Sequence, residues 1–282
     1  MLIIWPTEQK VLTHLWNYKF LTAQQLWKLV GNKSIQVIYE NLRKLYAKKL
    51  MGSIVYGGVS RTGTMQKLHY LTRKWAIAMA GIEQLDLEQI KYPKATNTLV
   101  KNDFLHRIHT LDLMIAYDKW IDTAGYNKLF FDVYFDTNGS QRDQKNGALR
   151  SKTRIEMGNQ GFIDPDGIFA FEQQDMCRIF VLEMANGFDT KRIVEQIKKN
   201  LMASYNGLVG DKYGLPHTAT LLVVVEYDTM LKNVLHRIKE ELFFQKFNGL
   251  ERYLFLGFHQ ALMDSWASSW FDVNGNPAPV FL

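Results

Sequence analysis

A run of five consecutive aliphatic residues, Leu221 to Val225 within TATLLVVVEYD, constrains the fold of this chain more than any other segment. A strand with one solvated face alternates apolar and polar residues, whereas an unbroken Val- and Leu-rich run indicates a strand covered on both faces. Strand character also appears at KLFFDVYFD, FIDPDGIFAF, CRIFVLEMA and YLFLGF, and helical character at residues 100–124, at DTKRIVEQIKKNLMASY and at about 229–247. The order α-β-β-β-α-β-α-β predicts an α/β domain with a mixed sheet and helices on its faces.

The N-terminal segment has a different pattern, that of three short amphipathic helices. Apolar residues at helical spacing predict the first helix within residues 7–18. Thr22 and Gln25 form the capping-box pattern of a second helix, which stops at Gly31. Ser34 is the expected cap of a third helix, SIQVIYENLRKLYAKKL, which is apolar on one side and polar and basic on the other.

A β-hairpin is predicted directly after the third helix. Its strands are GSIVY and QKLHYL, its loop is the Gly-rich GGVSRTGTM, and a last short helix follows from a Thr72 cap to Gly81. The order helix-helix-helix-hairpin is that of a winged-helix domain. We therefore predict a winged-helix domain over residues 1–85, a linker over 86–99 and the α/β domain over 100–282.

The charge of the chain is divided unevenly between these domains. Residues 1–101 hold 15 Lys and Arg against 5 Asp and Glu, a net charge of +10, whereas the remaining residues hold 19 against 23, a net of −4. A basic domain attracts phosphates, so we expect the third helix to enter the major groove of double-stranded DNA. The expected DNA-contacting residues are Lys33, Gln36, Tyr39, Arg43, Lys44, Arg61 and Lys67. A solvated basic surface and a winged helix used for protein contacts are the alternatives.

Two carboxylates of the second domain are expected to meet. Asp166 lies at the bend entering one strand and Glu183 near the end of the next, and adjacent antiparallel strands bring such positions to one edge. Their repulsion is relieved by a hard divalent cation, Mg²⁺ or Mn²⁺, which supports phosphodiester cleavage. Asp164 is expected to face the opposite side of a regular strand. The alternative is a loop-capping Asp with a Glu on a solvated rim.

These motifs resemble known families. Pro165-Asp166 followed by FVLE, ending at Glu183, on an αβββαβ frame resembles the PD-(D/E)XK nuclease superfamily. A winged helix ending in HYLT, His106 within FLHRIHTLDL and a Lys-bearing helix with Tyr205 make the combination similar to the replication-relaxation family, over most of the chain. That family occurs on plasmids and integrative elements and is related to MobC-type relaxases, which nick DNA for conjugative transfer. The resemblance implies that Asp166 and Glu183 are metal ligands and that His106 is a ligand or an acid-base group.

One departure from the superfamily motif bears on catalysis. The lysine expected two residues after Glu183 is replaced by Ala185. Lys191, Lys198 or Lys199 on the following helix would have to supply the ammonium from a migrated position. Two functions therefore stay open: a Mg²⁺-dependent nickase of a plasmid or mobile element, and a non-catalytic DNA-binding regulator or accessory factor of replication, transfer or transcription with an inactive nuclease fold.

Other chemistry finds less support in the sequence. His106 and His109 are three residues apart on one helix, but no Cys or His nearby completes a zinc site, and Cys177 is the single cysteine. The phosphate-binding and dinucleotide-binding glycine motifs are both missing. Tyr205 is either a nucleophile or a packing residue, and the tryptophans at 266 and 270 are expected to fill the core.

Localisation and partners follow from composition and resemblance. The sequence contains no run of about 18 apolar residues, and no basic segment precedes the short apolar start, so neither a membrane span nor a signal peptide is expected. The expected location is cytoplasmic. The expected partners are double-stranded DNA and either a second copy of the chain or other mobilisation or replication proteins.

Overall fold

The chain divides into two compact units, Met1–Leu111 and Asp112–Leu282. The computed structural model describes residues 3–31, 34–55, 66–84, 86, 92–93, 103–142, 149–215 and 218–281. The sequence predicts the second domain from residue 100, and most of the predicted linker, 86–99, falls outside the described residues.

The first unit has the helix and hairpin order that the sequence predicts. Its elements are α1 (Pro6–Tyr18), α2 (Ala23–Val30), α3 (Ile35–Ala47), β1 (Met51–Val55), β2 (Lys67–Leu71) and α4 (Arg73–Glu83). The two strands are antiparallel, with Met51 opposite Leu71 and Val55 opposite Lys67, while the residues that connect them lie outside the described part. Apolar side chains of α1, α2 and α3 are buried together with Leu68 of β2 and form the core of this unit.

The helix ends of this unit confirm the capping pattern. The Gln25 amide donates to Thr22 Oγ1 over 3.1 Å, and the Thr22 amide donates to Gln25 Oε1 over 2.9 Å. Gly31 ends α2 in the left-handed region with a φ of 72°. Ser34 Oγ accepts the Gln36 amide over 3.2 Å at the start of α3. Positions 22, 25, 31 and 34 therefore fix the two ends of α2 and the start of α3.

The predicted end of α4 is wrong by two residues. The helix passes through Gly81 and continues to Glu83, and Gln84 ends it with a φ of 54°. A glycine inside a helix costs only about 1 kcal/mol relative to alanine, so it does not by itself stop one. The left-handed residue that stops α4 is Gln84, whose type gives no such signal in the sequence.

The second unit is built on a five-stranded sheet. Helix α5 (Phe104–Ala124) begins in the first unit and ends in the second. The strands are β3 (Asn127–Val133), β4 (Thr137–Arg142), β5 (Leu149–Ser151), β6 (Ile155–Glu156), β7 (Phe162–Ile163), β8 (Gly167–Gln173), β9 (Met176–Ala185), β10 (Thr220–Val225) and β11 (Leu254–Phe258). The other helices are α6 (Thr190–Tyr205), α7 (Leu208–Tyr213), α8 (Asp228–Glu240), α9 (Leu242–Gln245), α10 (Leu250–Tyr253) and α11 (His259–Asp264). A 3-10 turn covers Gly158–Gln160.

The sheet is mixed, as predicted, with the strand order β11-β10-β9-β8-β3. Strand β8 is antiparallel to both of its neighbours, β3 and β9, and β9, β10 and β11 are parallel. Helix α6 connects β9 to its parallel neighbour β10. Every residue from Leu221 to Val225 is buried, which confirms that β10 is covered on both faces.

Each face of the sheet has its own core. One face packs aliphatic residues of β9 and β10, such as Val181 and Val223, against α6 and α8. The other face is aromatic, with ring centroids 4.5 Å apart for Tyr117 of α5 and Phe169 of β8. Residues 266 and 270, the two C-terminal tryptophans, are both buried near this cluster, which confirms their core role.

Three further predictions of secondary structure are corrected. The single helix predicted over 229–247 is α8 and α9, because Glu241 takes an extended backbone with a ψ of 122° and its carboxylate lies 2.8 Å from the Lys198 ammonium of α6. Strands β4, β5 and β6 lie where the sequence predicts only a connection, because segments such as TNGSQR have no apolar alternation. The single strand predicted at FIDPDGIFAF is divided into β7 and β8 by residues 164–166. None of the helices in the described residues is long and apolar enough to cross a membrane.

Candidate functional site

The two carboxylates predicted from the sequence do meet. Gly167 pairs with Leu182 across the antiparallel strands, so Asp166, just before β8, lies opposite Glu183 of β9. Both are buried, with 7% and 9% of their surface exposed. The Met184 amide donates to Asp166 Oδ2 over 2.7 Å, and the two carboxyl groups hydrogen-bond to each other. Asp166 and Glu183, called the carboxylate pair below, therefore form one unit.

A third residue, Asn200 of α6, contacts this pair and was not predicted from the sequence. Asn200 Nδ2 donates to Glu183 Oε1 over 2.5 Å and to the Gln196 carbonyl over 3.1 Å. The residue is 2% exposed, and among the described residues Oδ1 has no hydrogen-bond partner. The available signal was an Asn on the apolar stripe of α6, between Ile197 and Leu201, where a buried amide requires a polar partner.

The electrostatics of the pair favour a shared proton. Burial raises the pKa of Glu183 well above its ordinary value, and the negative charge of Asp166 and the hydrogen bond to it raise it further. The Asn200 amide opposes this rise in the pKa of Glu183 by donating to its carboxyl group, whereas the charge of Asp164 raises the pKa further. A carboxyl with a raised pKa retains its proton readily, so Glu183 can donate to Asp166 and avoid two buried charges.

The donor set fits a hard divalent cation. Two carboxylates supply oxygen ligands of the kind that Mg²⁺ prefers. The described residues contain no group of three or more His, Cys, Asp or Glu able to hold a metal. Mg²⁺ commonly binds through one or two carboxylates and keeps several waters, so this pair is a sufficient protein contribution. A cation bound by the pair would replace the shared proton.

The residues before the Asp166 bend fix its position. Thr153 Oγ1 donates to the Pro165 carbonyl over 2.6 Å, and Thr153 is fully buried. Asp164 follows β7 rather than lying within a regular strand, and it accepts from Arg154 Nε and Nη2 over 3.2 and 3.1 Å. The expectation that Asp164 points away from the pair agrees with its exposure, although its charge still acts on Glu183.

A further buried carboxylate on this face of the sheet was not predicted. Asp132 of β3 lies opposite Ile168 of β8, two residues from Asp166. Its carboxylate accepts from Tyr213 over 3.1 Å and forms an ion pair with Lys152 at 2.7 Å. Burial raises the pKa of Tyr213, and the negative charge of Asp132 raises it further. Asp132 is therefore already paired with the ammonium group of Lys152.

The lysines proposed as replacements for the motif lysine lie on α6, the helix that carries Asn200. The Lys198 ammonium lies 2.8 Å from both the Glu195 and the Glu241 carboxylates, so it is held between two acids. Lys191 and Lys199 are exposed. The residue of α6 that hydrogen-bonds to the carboxylate pair is Asn200, which donates to Glu183.

His106 and Tyr205, two residues that carry the resemblance, lie on different helices, α5 and α6. His106 lies on the part of α5 that belongs to the first unit, where its carbonyl accepts from Thr110 Oγ1 over 3.0 Å, whereas the carboxylate pair belongs to the second unit. The Tyr205 ring packs edge-on against Phe247 and Tyr253, with centroids 4.8 and 5.6 Å away. These ring contacts give Tyr205 a packing role.

The polar face of α3 is exposed, as the sequence predicts. Gln36, Tyr39, Arg43 and Lys44 are all exposed, while Ile38, Leu42 and Leu45 on the opposite side are buried. Lys67 of β2 is also exposed. The two other predicted contacts, Lys33 and Arg61, lie outside the described residues.

The chain was compared with protein-family models, with curated proteins and with solved structures, and none of them matches it. The resemblance to the replication-relaxation family therefore depends on the short motifs quoted above. We accordingly derive a function from the residues of the carboxylate pair and of α3.

The raised pKa of Glu183 predicts how stability depends on pH. The unfolded chain releases this proton near pH 4.5, whereas the folded chain keeps it to a higher pH. The stabilisation of the folded chain by this retained proton is complete below the unfolded pKa and is lost as the pH rises through the folded pKa. Each unit by which the folded pKa exceeds the unfolded pKa contributes about 1.4 kcal/mol. Glu183→Gln cannot ionise and keeps Oε1 as an acceptor. In EDTA we expect this variant to have a higher Tm than the wild type at pH 8 and a similar Tm at pH 4.5.

The matched control is Glu251→Gln, which alters an exposed glutamate of the same unit. Its Tm should follow that of the wild type at both pH values. An equal fall in Tm between pH 4.5 and pH 8 for Glu183→Gln and the wild type would contradict the shared proton.

Proposed function

We propose that this protein binds duplex DNA through a winged-helix domain in its first unit and nicks one strand at the carboxylate pair with a bound divalent cation. The observation that carries this proposal is the burial of Asp166 and Glu183 opposite each other, with Asn200 against them. A buried pair of acids is costly unless a proton or a cation compensates it. The resemblance to relaxase-related proteins suggests mobilisation or replication of a plasmid or mobile element as the setting.

The DNA-binding part of the proposal is supported by α3. This helix begins five residues after the end of α2, is capped by Ser34, and exposes Arg43 and Lys44 beside two polar side chains. The antiparallel β1–β2 hairpin after it occupies the place of a wing. The net charge of +10 on residues 1–101 would draw this unit to phosphates.

The nuclease part is supported by topology. The series α5, β3, β8, β9, α6 and β10 follows the αβββαβ order, with β4 to β7 inserted after β3. Asp166 precedes the second of these three sheet strands, and Glu183 lies in the third. These are the positions that the resemblance assigns to the metal ligands of a PD-(D/E)XK nuclease.

The residues of the site have separate tasks in this proposal. When bound, a divalent cation supplies Lewis-acid polarisation of the scissile phosphate and makes attacking water more acidic. The Met184 amide fixes one oxygen of Asp166, and the Asn200 amide fixes one oxygen of Glu183. Glu183 must release its proton before it can act as an anionic ligand, so nicking should become faster as the pH rises. Burial of the pair limits the access of bulk water to the two carboxylates.

One observation favours the non-catalytic alternative. Position 185, where the motif lysine is expected, is an alanine at the end of β9, and Lys198 is held by two glutamates. In that case the second unit is a scaffold for dimerisation or for other proteins, and the first unit acts as a DNA-binding regulator.

Nicking of supercoiled plasmid distinguishes the two functions. The full chain is incubated with plasmid and Mg²⁺ or Mn²⁺, beside Asp166→Asn and Glu183→Gln. Nicked circles with the wild type alone support the proposal. Equal nicking by all three proteins, or by none, contradicts the catalytic assignment.

A further inference from the structure

A cleft of about 420 Å³ lies in the second unit beside the segment that precedes Asp166. One side is formed by Arg150, Ser151 and Arg154, and the other by Leu208, Asp211 and Lys212 of α7. Ile155 and Glu156 complete the lining, and we call it the basic cleft because three of its eight lining residues are cationic. Its volume falls within the range of cavities that hold small ligands.

The basic cleft concentrates positive charge in an acidic part of the chain. Residues 102–282 have a net charge of −4, yet Arg150, Lys152 and Arg154 alternate along the segment RSKTR. Asp211 and Glu156 are the acids that line the cleft, against three cations. Arg154 is also bound to Asp164, outside the lining, so the cations of the cleft have acidic partners and its capacity for an anion depends on the N–H donors that these partners leave available.

Two of the three cations are fixed by the protein itself. Arg154 makes a two-point contact with Asp164 and lies 3.6 Å above the ring of Phe162. Lys212 Nζ donates to the carbonyl oxygens of Lys152 and Arg154, the second over 2.7 Å. Arg154 and Lys212 are thus held in fixed positions at the cleft, and the charge of Arg154 is compensated by Asp164.

Arg150 has donors to spare. Its Nε is buried and has no hydrogen-bond partner among the described residues, and its Nη1 forms a long, partly exposed ion pair with Glu156 Oε1 at 3.4 Å. The side chain is 31% exposed, so it reaches the cleft without being confined. A guanidinium offers a planar set of N–H donors that matches phosphate oxygens. Arg150 is therefore the residue of this cleft best suited to hold a ligand.

The basic cleft adjoins the carboxylate pair along the chain and through hydrogen bonds. Thr153, between the two arginines, donates to the carbonyl of Pro165, the residue before Asp166. Arg154 binds Asp164, two residues before Asp166. The segment that lines the cleft is therefore the same segment that holds the Asp166 bend.

We propose that the basic cleft binds a phosphodiester group of the DNA strand whose neighbouring phosphate lies at the carboxylate pair. In this arrangement Arg150 contacts the phosphate, Lys212 supplies a fixed positive charge, and Arg154 holds the lining segment against Asp164. The proposal rests on the proposed function, since it assumes that a DNA strand reaches the second unit.

The test measures binding of a fluorescein-labelled single-stranded 12-mer to the full chain by anisotropy, in EDTA and at several salt concentrations. We expect Arg150→Glu to weaken binding at least about tenfold and to lower the salt dependence by about 0.7, the value for one phosphate of a single strand. Arg252→Glu makes the same charge change at an exposed arginine of this unit and should change the affinity less than about twofold. Equal losses in the two variants would overturn the proposal.

Further arms separate folding and ligand source. Arg150→Lys keeps a cation and should retain more affinity than Arg150→Glu, and all variants should keep the wild-type Tm. Inorganic phosphate at 10 mM is expected to compete weakly with the strand. Strong binding of inorganic phosphate, together with undiminished strand binding by Arg150→Glu, would overturn the assignment to a strand. Because this assay contains no metal, its result stands whether or not the plasmid is nicked.

Discussion

Asp166→Asn is expected to reduce nicking of supercoiled plasmid in Mg²⁺ at least about 100-fold, with little change in stability. Removing one anionic ligand removes several kcal/mol of transition-state stabilisation, and each 1.36 kcal/mol is tenfold in rate. The asparagine keeps an oxygen that can accept from the Met184 amide, so the bend before β8 should keep its geometry. The initial rate of conversion of supercoiled plasmid to nicked circles measures the effect.

Asp122→Asn is the matched control for this variant. Asp122 is an exposed aspartate of α5 in the second unit, so its replacement makes the same charge change on the surface. Its nicking rate should equal that of the wild type. If Asp166→Asn and Asp122→Asn nick equally fast, the carboxylate pair is not the catalytic site.

The second large effect concerns the first unit. Replacing both Arg43 and Lys44 with alanine is expected to weaken binding to duplex DNA at least about tenfold and to reduce its salt dependence. Each lost phosphate contact lowers the slope of log K against log salt by about 0.9, so loss of two contacts lowers it by about 1.8. Both side chains are exposed on α3, so the folded structure should be unaffected. Anisotropy of a labelled duplex over a range of salt concentrations gives both quantities.

The control for this experiment is the double replacement Arg73→Ala and Lys74→Ala. These residues are also an exposed Arg-Lys pair in the first unit, on α4. The loss of affinity should be clearly smaller than for the α3 variant. Equal losses would show that the charge of the unit, and not the face of α3, determines binding.

The meeting of Asp166 and Glu183 was predictable because it depends on one antiparallel pairing. Strands β8 and β9 are separated only by a tight turn, so local pattern sets their register, Gly167 opposite Leu182. Capping residues of α2 and α3 were predictable for the same reason. In both cases the contacts are local in sequence, and the residue types state them directly.

Asn200 and the basic cleft were not predictable because their contacts are distant in sequence. Asn200 meets Glu183 only after α6 crosses back over the sheet to connect β9 with β10. Lys212 donates to the carbonyl of Arg154, which lies 58 residues earlier in the chain. Arg154 lies between β5 and β6, two short strands that the sequence did not predict. The lysine missing at position 185 was visible in the sequence, but the amide that contacts Glu183 was not.

Calorimetric titration with Mn²⁺ tests the central claim most directly, because it measures occupation of the carboxylate pair without requiring turnover. The wild type should bind one ion there with release of a proton, and more tightly as the pH rises, since the ion replaces the proton that Glu183 shares with Asp166. Asp166→Asn and Glu183→Gln should each bind at least about tenfold more weakly, because even the loss of a residue that only orients a ligand costs about that much. Asp122→Asn should match the wild type. Absence of Mn²⁺ binding by the wild type, or equal affinity in all four proteins, would contradict the metal site.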